Sequence, residues 1–210
     1  MKQRAMTRTR SIRRAPLWVA LAAVTLLAGC GQGGGGATAG DPPLAGAQIG
    51  GPFTLVDKTG KTVRWSDFKG HYRIVYFGYT YCPDACPTDL SVEAQGVKLF
   101  AKTHPKQAAA LRPLFITIDP ARDTPEVVGR FAAAFSPQLI GLTGTPAQID
   151  QAAKAFAVYY AKGKAMGGGA YLMDHSRIAY LMGPNGQPID MLPLDKGAEA
   201  VADTLAEWVR

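Results

Sequence analysis

The strongest constraint on the fold is a single junction. Residues 72–79, YRIVYFGY, are an aromatic and β-branched run short enough to be one buried strand. From Cys86 to about Lys102 the apolar residues Leu90, Ala94, Val97 and Phe100 then recur at helical spacing. A strand therefore runs straight into a helix, and the turn between them, CPDACP, carries two cysteines.

The remaining segments repeat the alternation. Residues 53–65 predict a hairpin turning at Lys58-Thr59-Gly60, and Ser66–Gly70 closes it. Residues 113–118, PLFITI, predict a second buried strand. It is followed by a helix capped by Thr124, with Pro125 in its first position and Val127, Val128, Phe131 and Phe135 expected inside. A third strand, 139–143, leads to a helix whose Thr145-Pro146-Ala147-Gln148 is a capping box. Residues 177–192 predict a hairpin at Pro184-Asn185-Gly186, and 196–209 a closing helix. The pattern implies an α/β fold, a central mixed sheet flanked by helices with an N-terminal β-hairpin. A dithiol at the strand-to-helix junction makes the arrangement thioredoxin-like.

The charge has to be located before it means anything. The chain carries a formal +7, but Lys2, Arg4, Arg8, Arg10, Arg13 and Arg14 lie in the first 29 residues with no acid among them. The rest carries +1, which gives no electrostatic reason to bind nucleic acid. Those six residues instead form the basic start of an export signal. They precede the apolar run of 17–29, which ends in Leu27-Ala28-Gly29-Cys30 and resembles a bacterial lipoprotein signal. Its 13 residues fall short of the about 20 that span a bilayer, so cleavage and lipidation of Cys30 are expected rather than a retained span. Residues 30–50, rich in Gly, Ala and Pro, read as a flexible tether, and the folded domain is expected over 51–210. The expected location is the bacterial cell envelope, with the domain lipid-anchored on the periplasmic side.

With Cys30 assigned to the lipid, Cys82 and Cys86 are the thiols of the folded domain. Four residues apart at a helix start, they share one side of the first turn. The helix N-terminus favours negative charge, which predicts lowered thiol pKa values. An inert disulfide across so short a loop would stabilise little. Three residues between the cysteines, where thioredoxins have two, suit a metal as well as a bridge. Two thiolates and an imidazole make a soft trigonal site appropriate to copper, whereas zinc would want a fourth ligand. Of the three histidines, His71 and His104 read as solvated or capping residues, while His175 in YLMDHS precedes the late hairpin and comes over the dithiol in a thioredoxin-like fold.

At this point the chain resembles a known family. YFGYTYCPDACPTDL, FITIDPARDTPEVV, SPQLIGLTGTPAQIDQ, VYY and MDHSRIAYLMGPNG match, in order and spacing, the Sco (SenC/PrrC) copper chaperones over essentially all of 53–210. The resemblance implies a thioredoxin-like fold, one copper ion, Cu(I) or Cu(II), per domain on Cys82, Cys86 and His175, and a part in building the copper A centre of cytochrome c oxidase. The implied partner is the oxidase's subunit II or another cuproprotein, with other periplasmic copper chaperones or thiol reductases as further candidates. Where thiol oxidoreductases keep a proline facing the dithiol, this chain has Asp174-His175, which favours metal binding over exchange.

The rival reading is an enzyme. Cys82 and Cys86 would then be catalytic, cycling between dithiol and disulfide to keep the copper-ligand cysteines of the oxidase subunit reduced. Peroxide reduction has less support, since no Pro-x-x-x-Thr-x-x-Cys arrangement surrounds Cys82. Asp174 and Asp119 are candidates to tune the ligands from behind, although the Asp-Pro turn of DPARD also explains Asp119 and Asp123 structurally. Of Met166, Met173, Met182 and Met191, only Met166 is expected to be exposed, in a flexible loop over Gly163–Gly169.

Overall fold

The computed structural model describes residues 40–166, 168 and 170–210. The expected signal peptide 1–29, the expected lipidation site Cys30 and residues 30–39 of the expected tether lie outside the described residues.

A five-stranded mixed sheet forms the centre. Its middle strand is β3 (Tyr72–Gly78), buried at every residue, because it has neighbours on both edges and helices over its faces. It pairs in parallel with β4 (Leu111–Thr117), which pairs in parallel with β5 (Ile140–Leu142). On the other edge the hairpin β8 (Ala179–Met182) and β9 (Pro188–Met191) runs antiparallel. Its turn needs Gly186 at φ +88°, against the Trp65 ring. The helices are α1 (Ala85–Thr103), the single turn α2 (Pro105–Ala108), α3 (Pro125–Phe135), α4 (Pro146–Ala155) and α5 (Ala198–Trp208). The small hairpin of β1 (Thr54–Val56) and β2 (Thr62–Arg64) precedes the sheet. This is the thioredoxin-like arrangement expected from the order of the elements.

The caps behave as their chemistry requires. Thr145 Oγ1 accepts from Gln148 N at 3.3 Å while Gln148 Oε1 accepts from Thr145 N at 2.8 Å, and Thr124 accepts from Val127 N. In α3 the buried stripe is rotated from the expected one. Val128, Gly129 and Ala132 face inward and Val127, Phe131 and Phe135 are half-buried, because Gly129 lets the helix settle onto the stem of Lys58.

Three expectations are corrected. Residues 163–165 are not loop: β6 (Tyr160–Ala165) pairs antiparallel with β7 (Tyr171–His175), and Gly163 and its lysine neighbours hide this strand from any hydrophobic alternation. The last part of the presumed tether is bound to the domain. Leu44 N donates to Ile189 O, Gly50 N donates to Ala155 O, and Leu44 and Ile49 pack on the core, a few apolar anchors that the Gly-rich composition conceals. Met191 is exposed as well as Met166, since it ends an edge strand.

The buried stripe of α1 contains two acids, Asp89 and Glu93. Glu93 is 2% exposed with no hydrogen-bond partner for Oε2, and burial together with the neighbouring Asp89 carboxylate raises its pKa to about 8. In the unfolded chain it ionises near 4.5. Its contribution is therefore complete below about pH 4.5 and is lost progressively as the pH rises to about 8, by up to about 4–5 kcal/mol. Glu93→Gln keeps the shape without the charge. It is expected to raise the thermal midpoint at pH 8 by about 5–15 °C and to leave it nearly unchanged at pH 4.5, measured by circular dichroism. An equal shift at both pH values would refute this.

Candidate metal centre

The site is assembled where β3 hands over to α1. Asp123, fully buried at the start of α3, accepts from Thr80 N at 3.0 Å, from Thr80 Oγ1 and from Thr117 Oγ1, and so fixes the loop that leaves β3. That loop presents Cys82 half-buried, and α1 begins three residues later. The Cys86 N–H has no partner within its own helix at this position and donates to Cys82 Sγ at 3.3 Å. The sulfur therefore serves as an N-cap acceptor, and the two cysteines are held on one side of the turn as their spacing suggested. Cys86 is 0% exposed. Gly78 makes room for it, since a Cβ there would stand 2.9 Å from Cys86 Sγ.

His175 arrives from elsewhere. It ends β7, in the small sheet of β6 and β7 that is separate from the central one. Its Nε2 stands 3.4 Å from Cys86 Sγ, and its Nδ1 lies 2.9 Å from Ser176 O. With Nδ1 donating to that carbonyl, the Nε2 lone pair faces the thiols. Tyr76 and Tyr79 meet the imidazole edge-on, at centroid distances of 6.3 and 6.0 Å. The ligating atoms of Cys82, Cys86 and His175 all lie within 4.8 Å of one another, and both cysteines are free thiols. Over them opens a cleft of about 480 Å³ lined by Tyr79, Cys82, Pro83, Asp174 and His175, with Arg177 at its edge.

Electrostatics at the site run partly against expectation. Burial pushes the Cys86 thiol up to about 12, opposing the predicted lowering. The partial charge of a helix end is outweighed when the group is removed from water. Burial also holds the His175 imidazole below its ordinary 6.5, against the opposing pull of the Ser176 carbonyl and of Asp89. The ring is thus neutral near pH 7, the form a metal ligand needs. Two soft sulfurs and one borderline nitrogen, with no fourth ligand in the group among the described residues, fit a trigonal copper ion better than tetrahedral zinc.

The two aspartates proposed to tune the ligands are separated by the structure. Asp174 is exposed in the cleft wall, pairs across the strand with Ala161, and raises the His175 pKa through space without bonding the ring. Asp119 touches none of the three ligands. It accepts from Tyr171 Oη at 2.8 Å and Arg122 Nε at 2.5 Å, while Arg122 Nη1 donates to Tyr171 O and the guanidinium lies 3.6 Å from the Tyr171 ring centre. It thus anchors the far end of the strand that ends in His175. His104 stacks on Phe100, and neither it nor His71 joins the ligand group. Sequence reasoning missed Gly78, Tyr76, Asp89 and Arg177. A readable signal existed for Asp89, an acid on the apolar face one turn after Cys86.

The SCO1/SenC family profile matches residues 41–210. The chain belongs to the SCO1/SenC family. Protein SenC of Rhodobacter capsulatus is 44% identical over 191 residues, covering 88% of this chain and 80% of that protein. The human mitochondrial SCO1 homolog is 40% identical over 162 residues, covering 77% of this chain and 53% of that protein, so the chain matches about half of the human one. Among solved structures, Bradyrhizobium japonicum ScoI with copper bound is 36% identical with a TM-score of 0.69, covering 76% of this chain and 99% of that one. Arabidopsis thaliana ScoI with copper bound is 35% identical with a TM-score of 0.70, covering 76% and 96%. The family read from the motifs is therefore the right one. The SCO1/SenC likeness and the soft donor set agree on copper as the metal that Cys82, Cys86 and His175 are equipped to take.

Proposed function

We propose that this protein is a copper chaperone of the bacterial cell envelope, lipid-anchored through Cys30, which holds one copper ion on Cys82, Cys86 and His175. It delivers that ion to the copper A centre of cytochrome c oxidase. The observation that carries this reading is the convergence of two thiols from the turn between β3 and α1 and an imidazole from the end of β7, with their ligating atoms within 4.8 Å of one another. Copper displaces the protons of the thiols and meets an Nε2 already aimed at it. Cys82, the more exposed sulfur, is where an incoming ligand from the recipient begins the exchange. Membership of the SCO1/SenC family and the copper-bound relatives support the choice of metal. The basic and apolar N-terminal segment ending in LAGC supports the anchor.

The test is a Cu(I) titration of the reduced domain against a competing chelator, with a His175→Ala variant in parallel. Loaded protein is then mixed with a soluble copper A domain. One ion per chain, loss of tight binding in the variant and metal transfer to the acceptor are the expected results. Weak binding that ignores His175, with a dithiol that exchanges readily with glutathione, would replace this reading with the thiol-disulfide reductase.

A further inference from the structure

The dithiol and the imidazole are positioned by different means. Cys82 and Cys86 keep their spacing through one helical turn, but His175 lies 89 residues further on, in a two-stranded sheet outside the central one. Local geometry says nothing about how close it should stand. Among the described residues, the polar link between α1 and the segment around His175, besides the Cys86–His175 contact, is the pair Asp89–Arg177. Arg177 donates from Nη2 to Asp89 Oδ1 at 2.7 Å and from Nε to Asp89 Oδ2 at 3.1 Å. Asp89 is 3% exposed, three residues after Cys86, and Arg177 is two residues after His175.

We propose that Asp89 and Arg177 form a clamp that sets the distance between the His175 imidazole and the Cys86 thiol. The two-pronged, charge-assisted contact fixes both separation and orientation, which a single lysine bond would not. The same carboxylate accepts from Tyr76 Oη at 2.8 Å, and the Tyr76 ring meets the His175 imidazole edge-on. One buried acid thus holds the arginine beyond His175 and the tyrosine packed against it. The pair is more than surface decoration: the Asp89 end is buried, so breaking it leaves a carboxylate with one partner in place of three bonds. Arg177 and Asp89 act through His175 and are positioning residues, not ligands. The inference rests on the copper reading above for its functional meaning, but its geometric content stands on the metal-free protein.

The test is a double-mutant cycle of Arg177→Gln and Arg177→Lys, each with and without His175→Ala, in the reduced protein. In the metal-free state, the His175 ring proton signals and their cross-peaks to Tyr76 are followed by NMR. In the loaded state, Cu(I) affinity is read by chelator competition. Arg177→Gln is expected to displace or broaden the His175 signals and to weaken Cu(I) binding by about 10–100-fold, with partial recovery in Arg177→Lys. In the His175→Ala background the same change should alter affinity by less than about twofold, because the residue it acts through is gone. An equal loss in both backgrounds, or unmoved His175 signals, overturns the clamp. Should Arg177→Gln fail to fold, Arg177→Lys carries the same cycle. If the native protein does not retain copper, the chaperone reading falls while the NMR comparison still decides the clamp.

Discussion

Replacing Cys86 by serine is expected to lower Cu(I) affinity by at least about a hundredfold and to abolish one-to-one retention during dialysis. The size follows from what a ligand contributes. Structural metal sites of four ligands bind with about 10–16 kcal/mol, so each ligand is worth about 3 kcal/mol, a factor of a hundred or more. The loss should exceed that figure here, since only three ligands share the ion and Cys86 supplies the buried sulfur that stands against His175 Nε2. The fold should survive. Serine is smaller than cysteine, so it fits the space that Gly78 leaves, and the new hydroxyl has Tyr76 and His175 beside it as partners. Chelator competition measures the affinity and thermal unfolding the fold. A serine variant that holds Cu(I) within about threefold of the native protein would show that Cys86 is not a ligand.

The order of elements and the ligand set were legible because both are carried by strong local signals. YRIVYFGY reads as a buried strand from its composition alone, and Thr145 and Gln148 announce a helix start from their own side chains. CxxxCP and DHS are short motifs whose own side chains make up the candidate metal group. What stayed hidden has the opposite character. The strand Tyr160–Ala165 exists because Tyr171–His175 pairs with it, and nothing in YAKGKA alone demands it. Leu44 and Ile49 are anchored by a strand edge and a core that lie far along the chain. The Cys86 thiol was misjudged for the same reason: the helix N-terminus is a local feature and favours the thiolate, whereas burial under Gly78, Tyr76 and His175 is tertiary and wins. Asp89 and Arg177 lie 88 residues apart, and their contact becomes visible only once the two ligand-bearing segments are placed together.

That burial makes copper affinity strongly dependent on pH, with a sign fixed by the protonation states of the free protein. Through pH 6–9 the Cys86 thiol, raised to about 12, keeps its proton, and Cu(I) has to displace it. Each unit of rising pH therefore strengthens binding about tenfold through Cys86 alone, or about a thousandfold from pH 6 to pH 9. His175 adds to that slope only at the acid end, where its ring must lose a proton before it can bind. Its pKa is held below 6.5, so above that value the ring is already neutral and adds no slope. Chelator competition at several pH values should accordingly give a logarithmic affinity rising by at least one per pH unit. The slope should fall by about one in Cys86→Ser and stay the same in His175→Ala above pH 6.5. A native slope below one would mean that Cys86 is already a thiolate before metal arrives, in which case the helix N-terminus outweighs burial after all. A slope that survives Cys86→Ser would instead remove that sulfur from the coordination sphere.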